Sequence, residues 1–256
     1  MAASTGREIL GTRAIQAGFI AGGMALWYYA TDVAGVSHLF LPKIGSVYRE
    51  LSELIVKGAV LAPLRVTLTS VAISYFIAAV GGIGAGYLVA RSAYLVRVLE
   101  PVFAGMFAIP ITLFFPLFVL YFGIGAESKI AYGAAYAFFP IALNTIAGFG
   151  NVERRLIDSA RSMGASDAQL FRRVLLPAAF PVILTGLRIG FFICFASVLG
   201  GETLLSRTGL GHQIAYAAEL MESARMYAWI VLVIVISTSL NALVSRIETY
   251  QQRWQQ

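Results

Sequence analysis

DSARSMGASDAQLFRRVLLPAAFPVILTGLRIG, residues 158–190, is the stretch that decides the fold. It is a polar, Arg-rich insert that runs straight into an apolar segment, in a chain otherwise built from long greasy runs. Across 152–163, Leu156, Ala160 and Met163 recur at the spacing of one helical face. Gly164 stands where a left-handed residue would close that helix. Ser166 then opens a second helix, and Gln169 three residues later completes a capping box. Leu170, Phe171 and Val174 form its apolar stripe, Arg172 and Arg173 face elsewhere, and Pro177 is expected to prevent simple continuation. The insert, about 150–180, therefore reads as an ordered helix–turn–helix element.

Outward from the insert, composition sets the class. The 256 residues are 59% hydrophobic and only 12% charged, where a soluble domain carries about 25% charged residues. Mean hydropathy is +0.78. These values predict an all-α, multi-pass membrane protein forming one transmembrane domain over 1–256. Six spans are expected, at about 14–33, 66–90, 98–122, 130–149, 182–202 and 228–244, after an N-terminal tail 1–13. The first ends in Trp27, Tyr28 and Tyr29, residues suited to a membrane interface. An uncleaved anchor is expected rather than a signal peptide, because the run is long and lacks a clear small-x-small cleavage site before its polar end.

After Pro42 an amphipathic helix is expected, with Val47, Leu51, Leu54 and Ile55 on one side and Arg49, Glu50, Glu53 and Lys57 on the other. Such a helix can lie flat on a membrane surface. The second span carries Gly81, Gly82, Gly84 and Gly86, which permit close helix approach in lipid. Two prolines, Pro110 and Pro116, fall within the third. A polar segment at 203–227 contains Gly209-Leu210-Gly211.

The basic residues orient these spans. With the N-terminus in the cytoplasm, one side collects Arg7, Arg13, Arg91, Arg97, Arg154, Arg155, Arg161, Arg172, Arg173, Arg246 and Arg253. The other collects only Lys43, Arg49, Lys57, Arg65, Lys129, Arg207 and Arg225, and Arg188 lies near the membrane. This excess places both termini and the insert in the cytoplasm. The net charge of +6 thus reflects membrane anchoring, and no nucleic-acid partner is expected.

Catalytic chemistry is missing. None of the three lysines, Lys43, Lys57 and Lys129, sits in a Gly-Lys-Ser/Thr phosphate cradle. His38 and His212 stand apart, Cys194 lies inside an apolar run, and no metal-ligand spacing occurs. What remains is a set of polar and helix-bending groups inside the spans: Pro110, Thr112, Pro116, Asn144, Arg188, Ser197 and Glu202. Two readings of them stay open. They line or gate a pathway, or they kink helices, bond neighbouring helices and snorkel to the interface. Arg188 and Glu202 are about a helix length apart and are not expected to pair.

One spacing carries a resemblance. Asp158-Ser159-Ala160, three residues, Gly164, nine residues, then Val174-Leu175-Leu176-Pro177 is similar to the E-A-A, G, I-x-L-P coupling loop of ABC-importer permeases. Asp replaces Glu, Ser the first Ala and Val the Ile. From about residue 41 to 254 the chain resembles the nitrate/sulfonate/taurine class, on LPKIGSVYREL, RVTLTS, LEPVF, IPITLFFPLFVLYFGIGAESKI, LPAAFPVILTGLRIG and RTGLGHQI. The class usually has Ala-Glu before GLG, and here Gly201-Glu202 keeps the acid.

The resemblance implies a type I ABC-importer permease of MetI-like fold in a bacterial inner membrane, homodimeric and not itself an enzyme. It implies two ABC ATPase subunits that bind ATP and magnesium, an extracytoplasmic substrate-binding protein, and no cofactor on this chain. Asp158, Ser159, Ala160, Gly164, Leu170, Phe171, Val174, Leu176 and Pro177 would make the ATPase contact. Alternating access would then move a small polar or anionic solute such as a sulfonate, taurine or nitrate. The competing reading from another class is a stand-alone ion-coupled carrier or channel using Glu202 or Arg188.

Overall fold

A computed structural model describes the backbone of residues 2–252 and the side chains of residues 15–243 and 246. Among the described residues all regular structure is helical. In chain order the helices are α1 (Ala2–Tyr28), α2 (Ile44–Val56), α3 (Leu61–Ala90), α4 (Ala93–Ala108), α5 (Phe115–Phe122), α6 (Ala126–Gly150), α7 (Arg154–Ser162), α8 (Asp167–Leu170), α9 (Leu176–Leu204), α10 (Leu210–Glu219) and α11 (Ser223–Gln252). They divide between a smaller unit, Met1–Val60 with Ile214–Val235, and a larger one, Leu61–Gln213 with Ile236–Gln256.

α6 is the axis of the larger unit. Half of its apolar window is buried, against 33% for α3, because small residues on the flanking helices let it come close. A Cβ on Gly82 of α3 would stand 2.9 Å from Ile141 Cβ and 3.0 Å from the Phe138 carbonyl. One turn on, a Cβ on Gly86 would meet Thr145 Cβ at 2.6 Å. α9 repeats the device from the other side, with Gly186 against Asn144 and Gly190 against Ile141. Thr145 and Ser74, both fully buried, bond back to the Ile141 and Ser70 carbonyls at 2.7 Å, so neither hydroxyl is left unpaired. Phe103, Phe107 and Phe115 pack edge-on or tilted against Phe138, Tyr136 and Tyr132 of α6, which brings α4 and α5 against it.

In the smaller unit, Trp27 Nε1 donates to the Pro42 carbonyl at 2.9 Å and its ring lies 5.5 Å from that of Tyr227. Lys43 pairs with Asp32 at 2.9 Å, Tyr227 donates to the Phe40 carbonyl at 3.2 Å, and Ser223 donates to that of Leu39. These bonds pin the 37–43 segment. α2 forms after Pro42 as expected and buries Val47 and Leu54. Ile55, expected on the same side, is 60% exposed, since it lies one residue past Leu54 and rotates off a narrow buried stripe.

Among the described residues four helical runs are long and apolar enough to cross a bilayer: Leu61–Ala90, Ala126–Gly150, Asp167–Leu204 and Ser223–Leu243. The expected third span differs from a single run over 98–122. α4 and the segment Ile111–Phe122 are bent by 79° at the break between them. Pro110 forces the residue before it, Ile109, into an extended conformation (φ −73°, ψ 129°). Pro116 falls in the first turn of α5, where a missing N–H costs nothing. Of the first expected span, 14–33, α1 covers the larger part, and the side chains of residues 1–14, with Arg7, Arg13 and the expected tail, lie outside the described residues, as does Arg253.

The fifth span also departs from expectation. It begins earlier, in one run of 38 residues, Asp167–Leu204; Pro177 prevents simple α-helical continuation, as expected, without ending the run. Phe171–Leu175 form a π-helical turn in which the Leu176 N–H reaches back five residues to the Phe171 carbonyl. Pro177 then sits in the first turn of α9. The widened turn supplies the room that a proline ring takes from a regular helix. At 1.5 Å per residue the run is about 57 Å long.

Candidate functional site

The insert is as well ordered as its sequence implies. α7 closes on Gly164, whose φ is +78°. The Gly164 N–H bonds to the Arg161 carbonyl at 2.9 Å and the Ala165 N–H to that of Ala160 at 3.1 Å, the paired bonds of a Schellman cap. Ser166 accepts the Gln169 N–H at 3.4 Å, and Gln169 Oε1 accepts the Ser166 N–H at 2.9 Å. Both members of the capping box are therefore in place.

Beneath this cap the packing is specific. Leu170 is buried. The Phe171 ring lies 5.0 Å from Tyr87 at the end of α3 and 6.1 Å, stacked, from Phe149 at the end of α6. Val174 is half-buried, while Leu176 and Pro177 are exposed. On α7 the inward face is not the one expected. Ala160 is buried, but Leu156 is 48% and Met163 81% exposed. Ile157 instead joins the cluster of Val152, Ala179 and Ile183. Ile157 and Ala160 are three residues apart, so the buried stripe is turned toward α9 and leaves the larger Leu156 and Met163 outside. Asp158 and Ser159 share the exposed surface.

At the remote end of α9 a second cluster forms around Glu202, which is 1% exposed. Thr67 Oγ1 lies 2.9 and 2.8 Å from the two Glu202 carboxylate oxygens and donates to them. The same hydroxyl accepts the Leu210 N–H at 2.9 Å. The Gly211 N–H donates to Glu202 Oε2 at 2.9 Å. Lys129, 2% exposed, interacts electrostatically with the carboxylate and donates to Ser206 Oγ at 2.6 Å. Ser206 in turn donates to the Thr208 carbonyl at 2.6 Å. A buried carboxylate is tolerated only when its oxygens are satisfied in this manner.

The other pathway candidates scatter. Pro110, Thr112 and Pro116 are exposed around the α4–α5 break. Asn144 donates to the Pro140 carbonyl at 2.8 Å and packs where a Cβ on Gly186 would stand 2.5 Å from its own Cβ, so it serves the α6–α9 seam. Ser197 is buried on α9. Arg188 is half-buried and donates to Asn241 Oδ1 at 3.2 Å, a bond from α9 to α11 inside the larger unit. The structure does not bring these seven residues together. A groove of about 340 Å³ beside α5 is lined by Met106, Ile109, Phe114, Leu117 and Phe139, and it is apolar. It offers nothing to an anion.

Residues 82–254 match the family described as binding-protein-dependent transport system inner membrane component. The chain belongs to that family. It is 30% identical over 219 residues to the taurine transport system permease protein TauC of Escherichia coli (strain K12), covering 84% of this chain and 80% of that one. The riboflavin transport system permease protein RibX of Chloroflexus aurantiacus is 33% identical over 166 residues, 65% of this chain and 62% of the relative. Among solved structures, an inward-facing form of the MetNI methionine ABC transporter aligns with a TM-score of 0.62 at 25% identity, over 72% of this chain and 92% of the matched one.

The membership fixes the broad outcome of the sequence reading. The chain is an all-α, MetI-like inner-membrane component of an ABC transporter. Within this binding-protein-dependent transport component, reasoning from sequence singled out Glu202 and the Gly209-Leu210-Gly211 turn but missed Thr67, Lys129 and Ser206, which join them in one cluster. The available signal was an acid at the end of an apolar run with a Gly-Leu-Gly turn beginning seven residues later. Residue 67, distant in sequence, gave none.

Proposed function

We propose that this chain is the permease subunit of an ATP-driven importer for a small polar or anionic solute of the taurine or sulfonate type, and that the α7–Gly164–α8 element is its ATPase contact. The single observation that carries the contact is the double cap, Schellman at Gly164 and capping box at Ser166, on an element that leaves Asp158, Leu156 and Met163 exposed. Rigid caps hold the element's shape, and exposed apolar side chains beside charges suit a protein groove. The unbroken helix from Asp167 supports a direct mechanical link from that contact into the membrane.

In this reading two copies of the chain form the pathway, and two partner ATPases bind ATP and magnesium on the cytoplasmic side, where both termini also lie. Nucleotide binding draws the two coupling elements together and opens the pathway toward a loaded binding protein. This chain hydrolyses nothing. The likeness to TauC over 84% of the chain favours taurine-like solutes. Purification with its ATPase and binding protein, followed by uptake of radiolabelled taurine into vesicles, tests the reading. ATP-dependent uptake is expected; uptake by this chain alone, driven by an ion gradient, would replace it with a carrier.

A further inference from the structure

Glu202 and the coupling element are the two ends of one object. The helical run that starts at Asp167, one residue after the capping Ser166, carries Phe171 near one end and Glu202 near the other. A displacement applied at Phe171 travels through continuous helix to Glu202. Past Leu204 the helix stops, and residues 205–209 have no regular structure before α10 begins at Leu210. A link of that kind would absorb a push rather than pass it on.

Two bonds bypass it. The Gly211 N–H reaches Glu202 directly, and the Leu210 N–H reaches it through the Thr67 hydroxyl. Gly209 is shaped for the same closure. Its φ is +104°, and a Cβ there would overlap the Glu202 carboxylate. Gly211 has equally little room, since its Cβ would stand 2.7 Å from Glu202 Cβ. Leu210 is fully buried between them. The chain leaves the larger unit at Gln213, so the cluster grips the last residues before that crossing. An apolar side chain would fill the same volume without a buried charge; the acid adds directed bonds.

We propose that Glu202 is a positioning residue: with Thr67 it clamps the first turn of α10 to the remote ends of α3 and α9, so that motion of the Asp167–Leu204 helix is delivered to α10 instead of being lost in residues 205–209. The clamp rests on the transporter reading above and adds to it how movement leaves the lever. It also removes Glu202 from the residues that contact solute.

The test compares Thr67→Val with Thr67→Ser in the complete complex, with its ATPase and binding protein, in vesicles. Valine removes the hydroxyl at similar volume; serine keeps it. One readout is radiolabelled taurine taken up per ATP hydrolysed. The other is the change, on adding ATP, in maleimide labelling of Ala218→Cys on α10 in a Cys194→Ser background. Thr67→Val should lower the uptake ratio roughly tenfold, the effect of losing a hydrogen bond to a charged group, and abolish the labelling change. Thr67→Ser should keep both.

Equal behaviour of the two variants, whether normal or impaired, overturns the clamp, because the hydroxyl would not matter. If Thr67→Val does not assemble, Glu202→Gln decides: a lost labelling change is expected and a normal one overturns the proposal. A wild-type complex that moves no taurine, yet shows an ATP-dependent labelling change lost only in Thr67→Val, keeps the clamp and sinks the solute assignment. No ATP response in the wild type would refute both the transporter reading and the clamp.

Discussion

Replacing Gly164 with valine isolates the backbone requirement of the coupling element. An added Cβ at Gly164 has no heavy atom within 4 Å, so the substitution meets no steric obstacle. The whole cost comes from φ, which is +78°. A left-handed conformation costs an L residue roughly 1–2 kcal/mol, and a β-branched one belongs at the upper end. That range corresponds to a five- to thirty-fold loss of the correctly closed turn. The bonds from Gly164 and Ala165 to Arg161 and Ala160 fail together, because they share that turn. The Ser166 capping box, two residues on, is then misaimed. The assay is solute-stimulated ATPase activity of the reconstituted complex, with Gly164→Asn as control, since asparagine tolerates the left-handed region. Valine should lose most of the stimulation and asparagine should retain most of it. Equal stimulation in the two variants would refute the reasoning, because the positive φ would then be irrelevant to coupling.

Further consequences follow from the packing and the surface charges. Gly82→Ala should lower the thermal unfolding midpoint of the detergent-solubilised protein, because overpacking against Ile141 and the Phe138 carbonyl costs about 1–3 kcal/mol. Gly84→Ala, on the same helix with open space around it, should leave the midpoint in place; scanning calorimetry compares the two directly. On α2, the Lys57 ammonium hydrogen-bonded to Glu53 at 2.6 Å holds the Glu53 carboxyl below its usual range. With a folded pKa below the unfolded one, this contribution is present above the ordinary carboxylate range and fades as pH falls through the depressed value. Lys57→Ala should move the Glu53 titration midpoint back up, as read by carbon NMR of the carboxyl, and an unmoved midpoint would remove Lys57 as the cause.

How much of this was legible depended on how local each feature is. The Gly164 stop and the Ser166–Gln169 cap were readable because each is decided within five residues by backbone geometry and one side chain. The passage of the helix beyond Pro177 was unreadable for the opposite reason. The proline's own chemistry argues for a break, and only the π-helical turn before it, a property of Phe171–Leu175 as a group, lets the helix pass. The α4–α5 bend was half visible: two prolines announced a disturbance, but not that Ile109 and Pro110, both extended, would absorb it together. Leu156 and Met163 show the limit of periodicity. Three apolar positions fitted one face, and the neighbouring face with Ile157 fitted as well; contact with Val152, Ala179 and Ile183 chose between them. The Glu202 cluster joins residues 67, 129, 202 and 206–211, and no local pattern could unite positions so far apart.

The most direct test of the central claim is proximity cross-linking of the coupling element in the assembled transporter. Met163→Cys, exposed just past the end of α7, in a Cys194→Ser background and treated with a short bifunctional reagent, should join this chain to its ATPase subunit, and ATP should alter the yield. Labelling of that cysteine by a membrane-impermeant reagent from the extracytoplasmic side of intact cells, with no product joined to the ATPase, would contradict the account.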